Sequence, residues 1–290
     1  MAQDWVLGII GGSGLYDIEA LEDRQWIAIN SYFGEPSDEI LCGRIGEVQL
    51  RFLPRHGRGH RLSPSDVNAR ANIDALKRAG CTDLVAISAV GSLREELEPG
   101  RFVVVDQFID RTKARADSFF GSGCVVHVSL ADPVCERLSA YAATAIERAG
   151  GKAAKGGTYL AMEGPQFSTR AESRLYREWG ADVIGMTGMP EARLAREAEL
   201  PYALVGMVTD YDAWREDAPP VETGAILKQM AANGDVARGL ISELAGALPK
   251  RRKPSPIDTA LNGAILTAPA QRDAKLLSRL DAVAGRVLNS

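Results

Sequence analysis

Seven short apolar runs alternate with stretches of helical periodicity, and no other feature of the sequence restricts the fold as tightly. The runs fall at residues 5–10, 48–53, 84–90, 102–105, 158–162, 182–186 and 202–208. Strand-length apolar segments separated by helices predict an α/β chain with a mainly parallel or mixed sheet between helical layers. The segment SPSDVNARANIDALKRAG offers Ser63 as N-cap, Pro64 at the first helical position and Gly80 as terminator. A second, DPVCERLSAYAATAIERAGG, opens on Asp132 and Pro133 and closes on Gly150. Its Val134, Leu138, Tyr141, Ala142 and Ile146 form one apolar stripe. A shorter helix follows Pro190 and stops before Pro201, and a long one covers about 221–248. After it the character changes. PKRRKPSP predicts a solvated basic linker, followed by a last helix near 273–287. Residues 1–249 are thus expected to form one domain, and 250–290 a linker with a C-terminal helical extension.

Composition narrows the function classes. The 290 residues carry a net charge of −4, which gives no general attraction to nucleic acid or anionic membranes. No apolar run approaches the ~18 residues of a membrane span. The start, MAQDWVLGII, has no basic segment ahead of its apolar residues and is expected to be a first strand rather than a signal peptide. Cysteines at 42, 81, 124 and 135 include no C-x-x-C pair, so core packing in a reducing cytoplasm is expected, without disulfides or a zinc site.

Chemistry-bearing motifs gather where strands end, which is where α/β sheets bind ligands. GIIGGSGLYD has glycines at 11, 12 and 14 around Ser13, a turn that admits an anion but lacks the third glycine of a dinucleotide loop and the Gly-Lys of a P-loop. LPRHGRGHR concentrates Arg55, His56, Arg58, His60 and Arg61. Its glycines oppose the helix that would align the two histidines on a metal, and guanidinium forks suit phosphate better; an exposed basic loop is the plain alternative. ISAVGSLREEL places Ser88, Ala89 and Gly91 at the end of a strand, MEGPQFSTRAES places Glu163, Phe167 and Ser168, and GMTGMPE places Met186 and Thr187. VGMVTDYDAW ends an apolar run with Asp210 and Asp212, which is either a capped turn or a pair that shares a proton.

Taken together and in order, GIIGGSGL, PRHGRGH, PSDVNARANI, AVGSLREE, VDQFIDRT, EGPQFSTRAES, MTGMPEARLAREAELPYA and TDYDAW resemble the purine nucleoside phosphorylase superfamily, and within it the branch acting on S-methyl-5′-thioadenosine. The resemblance covers residues 5 to about 248. It implies a single α/β domain with a mixed central sheet, usually in a homotrimer, with a hexamer as the alternative. It also implies attack of inorganic phosphate on C1′, releasing adenine and 5-methylthioribose 1-phosphate, a step of purine and methionine salvage. Phosphate is then a co-substrate, and no cofactor or metal is expected.

Carried over by position, Ser13, Arg55, His56, Ser88, Ala89 and Thr187 hold phosphate, and Met186 lies against the ribose. Phe167, Ser168, Asp210 and Asp212 hold the purine; Thr223 and Ile226 lie at the 5′ end, where His127 reaches in from a neighbouring subunit. Serine at 13 and 88 replaces the more usual threonine, and Thr223 stands where the methylthio pocket is often apolar. Chemistry adds its own constraint. Adenine leaves readily once N7 is protonated, and its Hoogsteen edge pairs an acceptor with a donor. A protonated Asp210 matches both; a 6-oxopurine shows two acceptors, which asparagine suits better. The charge of Asp212 is expected to keep Asp210 protonated. A 6-oxopurine nucleoside phosphorylase (acting on inosine, guanosine or methylthioinosine) and a nucleoside-binding protein without turnover are the rival functions.

Overall fold

A computed structural model describes residues 4–12, 14–216 and 222–288. Among the described residues, eleven strands form one mixed sheet. They are β1 (Val6–Gly11), β2 (Glu22–Ile27), β3 (Ile40–Ile45), β4 (Val48–Pro54), β5 (Asp83–Ser92), β6 (Arg101–Val104), β7 (Gln107–Asp110), β8 (Lys152–Lys155), β9 (Thr158–Ala161), β10 (Val183–Gly185) and β11 (Tyr202–Asp210). The helices are α1 (Ala69–Arg78), α2 (Glu136–Arg148), α3 (Arg170–Glu178), α4 (Gly188–Glu197), α5 (Thr223–Ala247), α6 (Ala274–Leu277) and α7 (Asp281–Leu288). No helix among the described residues is long and apolar enough to cross a membrane.

Strand alternation sorts the core into two faces. In β5, Leu84, Ala86 and Val90 pack on one side with Ile73 and Leu76 of α1, Ala192 and Leu194 of α4, and Val283 of α7. Val85 and Ile87 point the other way, toward Leu138, Ala142 and Ile146 of α2 and Leu240, Ile241 and Leu244 of α5. Each of the leucines, isoleucines and valines contributes about 1.5–3 kcal/mol when fully buried, so the two faces together fix the register of the central strands.

That register opens a place for a ligand. One edge of β5 pairs in parallel with β1 only as far as Ile10↔Ala86, and with antiparallel β10 only at Gly91 and Ser92. Its other edge follows β11 from Leu84 to Gly91. Between Ala86 and Gly91, therefore, the first edge has no strand beside it, and Arg55 after β4 and Thr187 after β10 reach into the gap.

Several boundaries depart from expectation. The first helix begins at Ala69 with the Asn68 side chain accepting from the Ala71 amide, whereas the Ser63 hydroxyl donates to Asp66 in the preceding turn. Helix α2 starts after Cys135, which makes no side-chain cap bond. The last helix is broken into α6 and α7. The basic linker is not solvated throughout. Arg252 is buried, with Nε on Asp83 and Nη1 2.8 Å from Asp258 Oδ2, and Asp83 also takes Nη2 of Arg137 at 2.6 Å. These pairs anchor the tail at the start of β5, the end remote from the gap. All four cysteines are free, and Cys81, Cys124 and Cys135 are buried.

Candidate active site

The gap beside β5 is lined by hydroxyls. Ser88 lies inside the strand rather than in a loop after it, and its Oγ is 3.0 Å from Thr187 Oγ1 at the start of α4. Both are buried. The Ala89 carbonyl accepts a bond from Ser88 Oγ at 3.2 Å. Ser13, the expected third hydroxyl, lies outside the described residues.

Arg55 is present at the gap, but its fork points inward. Nε and Nη2 bind the two Glu191 oxygens at 2.5 and 3.1 Å, Nη2 also reaches the Ile10 carbonyl, and Nη1 donates to the Ile87 carbonyl at 3.0 Å. Tyr202 Oη donates to Glu191 Oε2 at 3.1 Å. Burial opposes the guanidinium's charge, and Glu191 more than offsets it, so its pKa stays above the ordinary arginine value. The picture of a free guanidinium fork reaching for phosphate is therefore corrected: four of the five N–H donors an arginine carries are engaged by protein. His56 follows. Burial, then the charge of Arg55 and contact with His60, bring its pKa down to about 4. Its Nδ1 is 3.0 Å from the Leu62 carbonyl, which makes Nδ1 the protonated nitrogen and leaves Nε2 as an acceptor. The ring stacks on His60 with centroids 4.4 Å apart.

The two aspartates sit at the far end of the gap. Asp210 pairs with Gly91 in the strand register. Its Oδ1 accepts the Asp212 amide at 2.8 Å, an Asx-type turn, and its Oδ2 is 2.7 Å from the Thr209 hydroxyl. The turn is therefore capped, with the Asp210 carboxylate accepting the Asp212 amide. The Thr209 hydroxyl also faces the Val90 carbonyl at 3.2 Å. One hydrogen cannot serve both oxygens, so a protonated Asp210 can donate to Thr209 while Thr209 donates to Val90.

Burial is the main reason Asp210 holds its proton above the ordinary carboxylate range; the Thr209 and Asp212 hydrogen bonds pull the other way. The charge of Asp212 is the smallest contribution named, which revises the expected cause. Asp212 is itself raised by burial, countered by the Ser173 hydroxyl, the Ala213 amide and the Ser168 hydroxyl. Its Oδ2 nevertheless has no well-formed hydrogen bond.

Gly91 lets the carboxylates approach the strand. A Cβ there would lie 3.1 Å from Asp210 Oδ1 and 3.3 Å from Asp212 Cβ. Gly91→Ala is expected to cut nucleoside kcat/KM about tenfold through a displacement of a few tenths of an ångström, with steady-state kinetics as the check. Three strand steps, about 10 Å along the axis, separate Ser88 from Gly91 in β5.

Other expected residues are distributed more widely. Met186 is half-buried and packs over Gly164, and Ser168 is buried with its hydroxyl 3.7 Å from Met162 Sδ. Phe167 is 42% exposed. Thr223 is exposed and Ile226 half-buried at the start of α5. His127 is exposed and lines a cleft of about 460 Å³ whose walls include none of Ser88, Thr187, Asp210 and Asp212. Among the described residues no group of three or more His, Cys, Asp or Glu is placed to hold a metal.

This arrangement has relatives. Residues 6–245 match the phosphorylase superfamily. The chain belongs to that superfamily. S-methyl-5′-thioadenosine phosphorylase of Cereibacter sphaeroides is 60% identical over 285 residues, covering 98% of each chain, and that of Bradyrhizobium diazoefficiens is 56% identical with the same coverage. Among solved superfamily structures, a methylthioadenosine phosphorylase from an antarctic soil metagenomic library superposes with a TM-score of 0.89 at 44% identity, covering 97% of this chain and 99% of that one. The Schistosoma mansoni methylthioadenosine phosphorylase in complex with adenine gives 0.78 at 36% identity, covering 84% and 93%.

Proposed function

We propose that this protein cleaves S-methyl-5′-thioadenosine with inorganic phosphate, giving adenine and 5-methylthioribose 1-phosphate. One arrangement supports the substrate assignment: Asp210, a carboxyl whose pKa burial raises, stands at the end of β11 opposite Gly91, while a buried hydroxyl pair, Ser88 and Thr187, stands earlier along the same strand β5. In this reading Asp210 turns its proton from Thr209 to purine N7 and accepts from the 6-amino group, while Asp212, Ser168 and Phe167 frame the base. The ribose lies against Met186. Thr223 and Ile226 border its 5′ end, with His127 supplied by a neighbouring copy in a homotrimer or a hexamer built from trimers.

Phosphate is the second substrate rather than a resident cofactor. Ser88, Thr187, Ser13 and the Ala89 backbone surround it, His56 Nε2 accepts from a P–OH group, and one Nη1 hydrogen of Arg55 remains for it. Because Glu191 already balances Arg55, the phosphate keeps much of its own charge. That charge stabilises the oxocarbenium character that develops at C1′ as the glycosidic bond lengthens. A reducing cytoplasm suits the four free thiols, and we place the enzyme there, with residues 250–290 as an extension of the domain formed by 1–249.

Adenine release from S-methyl-5′-thioadenosine, measured with and without phosphate and alongside adenosine and methylthioinosine, tests the proposal. Phosphate-dependent turnover with S-methyl-5′-thioadenosine preferred is the expected result. Preference for methylthioinosine, or binding without turnover, would overturn it.

A further inference from the structure

Arg115 has no part in the chemistry described above, yet its guanidinium makes four hydrogen bonds to residues beside the site. It lies in the long connection between β7 and α2, and its side chain is only 8% exposed. Nη1 donates to the Met186 carbonyl at 2.6 Å and to the Met189 carbonyl at 3.0 Å. Nη2 donates to the Glu163 carbonyl at 2.8 Å, and Nε to Glu163 Oε1 at 3.2 Å. Glu163 is fastened in turn. The Ser65 hydroxyl binds Oε1, and the Lys113 amide binds Oε2 at 2.6 Å. Both carboxylate oxygens of Glu163 are thus engaged by protein donors.

Two of the three carbonyls that Arg115 grips, those of Met186 and Met189, lie on either side of Thr187 and Gly188. This turn cannot shape itself by helical bonding, because Met189 has φ −117° and ψ 137° inside the first turn of α4. On its other side, the Thr187 and Gly188 amides donate to the Tyr159 hydroxyl at 3.2 and 3.4 Å. A planar guanidinium is suited to holding three carbonyls and a carboxylate in one fixed geometry, and a lysine ammonium is not. We propose that the Arg115–Glu163 pair is the positioning element that sets Thr187 and Met186 for phosphate and ribose, tying the phosphate half of the site to the nucleoside half.

The inference rests on the phosphorolytic reading, and its test separates the two. Wild-type protein, Arg115→Lys, Arg115→Ala and Glu163→Gln are compared by steady-state kinetics with S-methyl-5′-thioadenosine and phosphate, by calorimetric titration of inorganic phosphate, and by thermal melting. For Arg115→Lys we expect the phosphate KM to rise and kcat to fall by about tenfold or more, with a smaller change in the same direction for Glu163→Gln. Millimolar guanidinium should restore activity to Arg115→Ala, and ammonium should not. If Arg115→Lys and Glu163→Gln keep wild-type phosphate affinity and kcat per folded molecule, or lose activity only in proportion to their folded fraction, the positioning role is wrong. If the wild type shows no phosphate-dependent turnover, the functional reading fails, and the phosphate titrations of the same variants still decide the role of Arg115.

Discussion

Asp210→Asn is expected to lower kcat for adenine release from S-methyl-5′-thioadenosine by at least ~10²-fold, the usual scale for losing a positioned general acid. The amide can still accept the Asp212 amide at the position of Oδ1, so the turn survives while the proton for N7 is lost. Only the protonated carboxyl can act. Its folded-state pKa is raised by burial, so activity is present below that pKa and falls as pH rises through it. The wild-type profile of kcat should therefore have an alkaline limb that Asp210→Asn lacks. Linkage gives a second signature. A carboxyl that binds its proton more tightly when folded loses stability as pH rises from the ordinary 3.8 through the raised value. Asparagine removes that loss, and the variant should be at least as stable as wild type at neutral pH. An inactive variant with undiminished stability places the defect in the chemistry.

The largest expected effect on stability comes from the other end of the gap. Glu191→Ala leaves the guanidinium of Arg55, which is 2% exposed, without its counter-charge and takes the acceptor from Tyr202. Removing one member of such a pair costs about 3–5 kcal/mol, because a buried charge is left uncompensated. Replacing both members with apolar side chains, Arg55→Met with Glu191→Leu, should recover much of the loss. Urea unfolding at one fixed protein concentration measures both. If the double variant is no more stable than Glu191→Ala, the cost lies in packing rather than in charge.

The sequence announced the sheet through its apolar runs, and the structure shows strands at all seven. It concealed four strands that lie outside those runs: β2, β7 and β8, whose residues are mostly exposed or half-buried, and β3, whose ILCGRI is interrupted by Gly43 and Arg44. The aspartate pair and the hydroxyls at 88 and 187 were legible because strand ends collect such residues. What holds them was harder to see. Glu191 did leave a signal: it shares a helical face with Leu194, Ala195 and Ala198, all buried, so a carboxylate in an apolar stripe pointed to a buried partner. Arg115 left none, because it sits in an irregular loop and acts through backbone carbonyls, which carry no sequence identity. The direction of the Arg55 fork was hidden for the same reason, since only tertiary structure brings position 191 to it.

The most direct measurement is the ratio of kcat/KM for S-methyl-5′-thioadenosine to that for methylthioinosine, taken in saturating phosphate for wild type and Asp210→Asn. A proton donated by Asp210 to N7, with its other oxygen accepting from the 6-amino group, predicts a ratio well above one that falls by about two orders of magnitude in the variant. An unchanged ratio, or a wild-type enzyme that favours the 6-oxopurine, would contradict it.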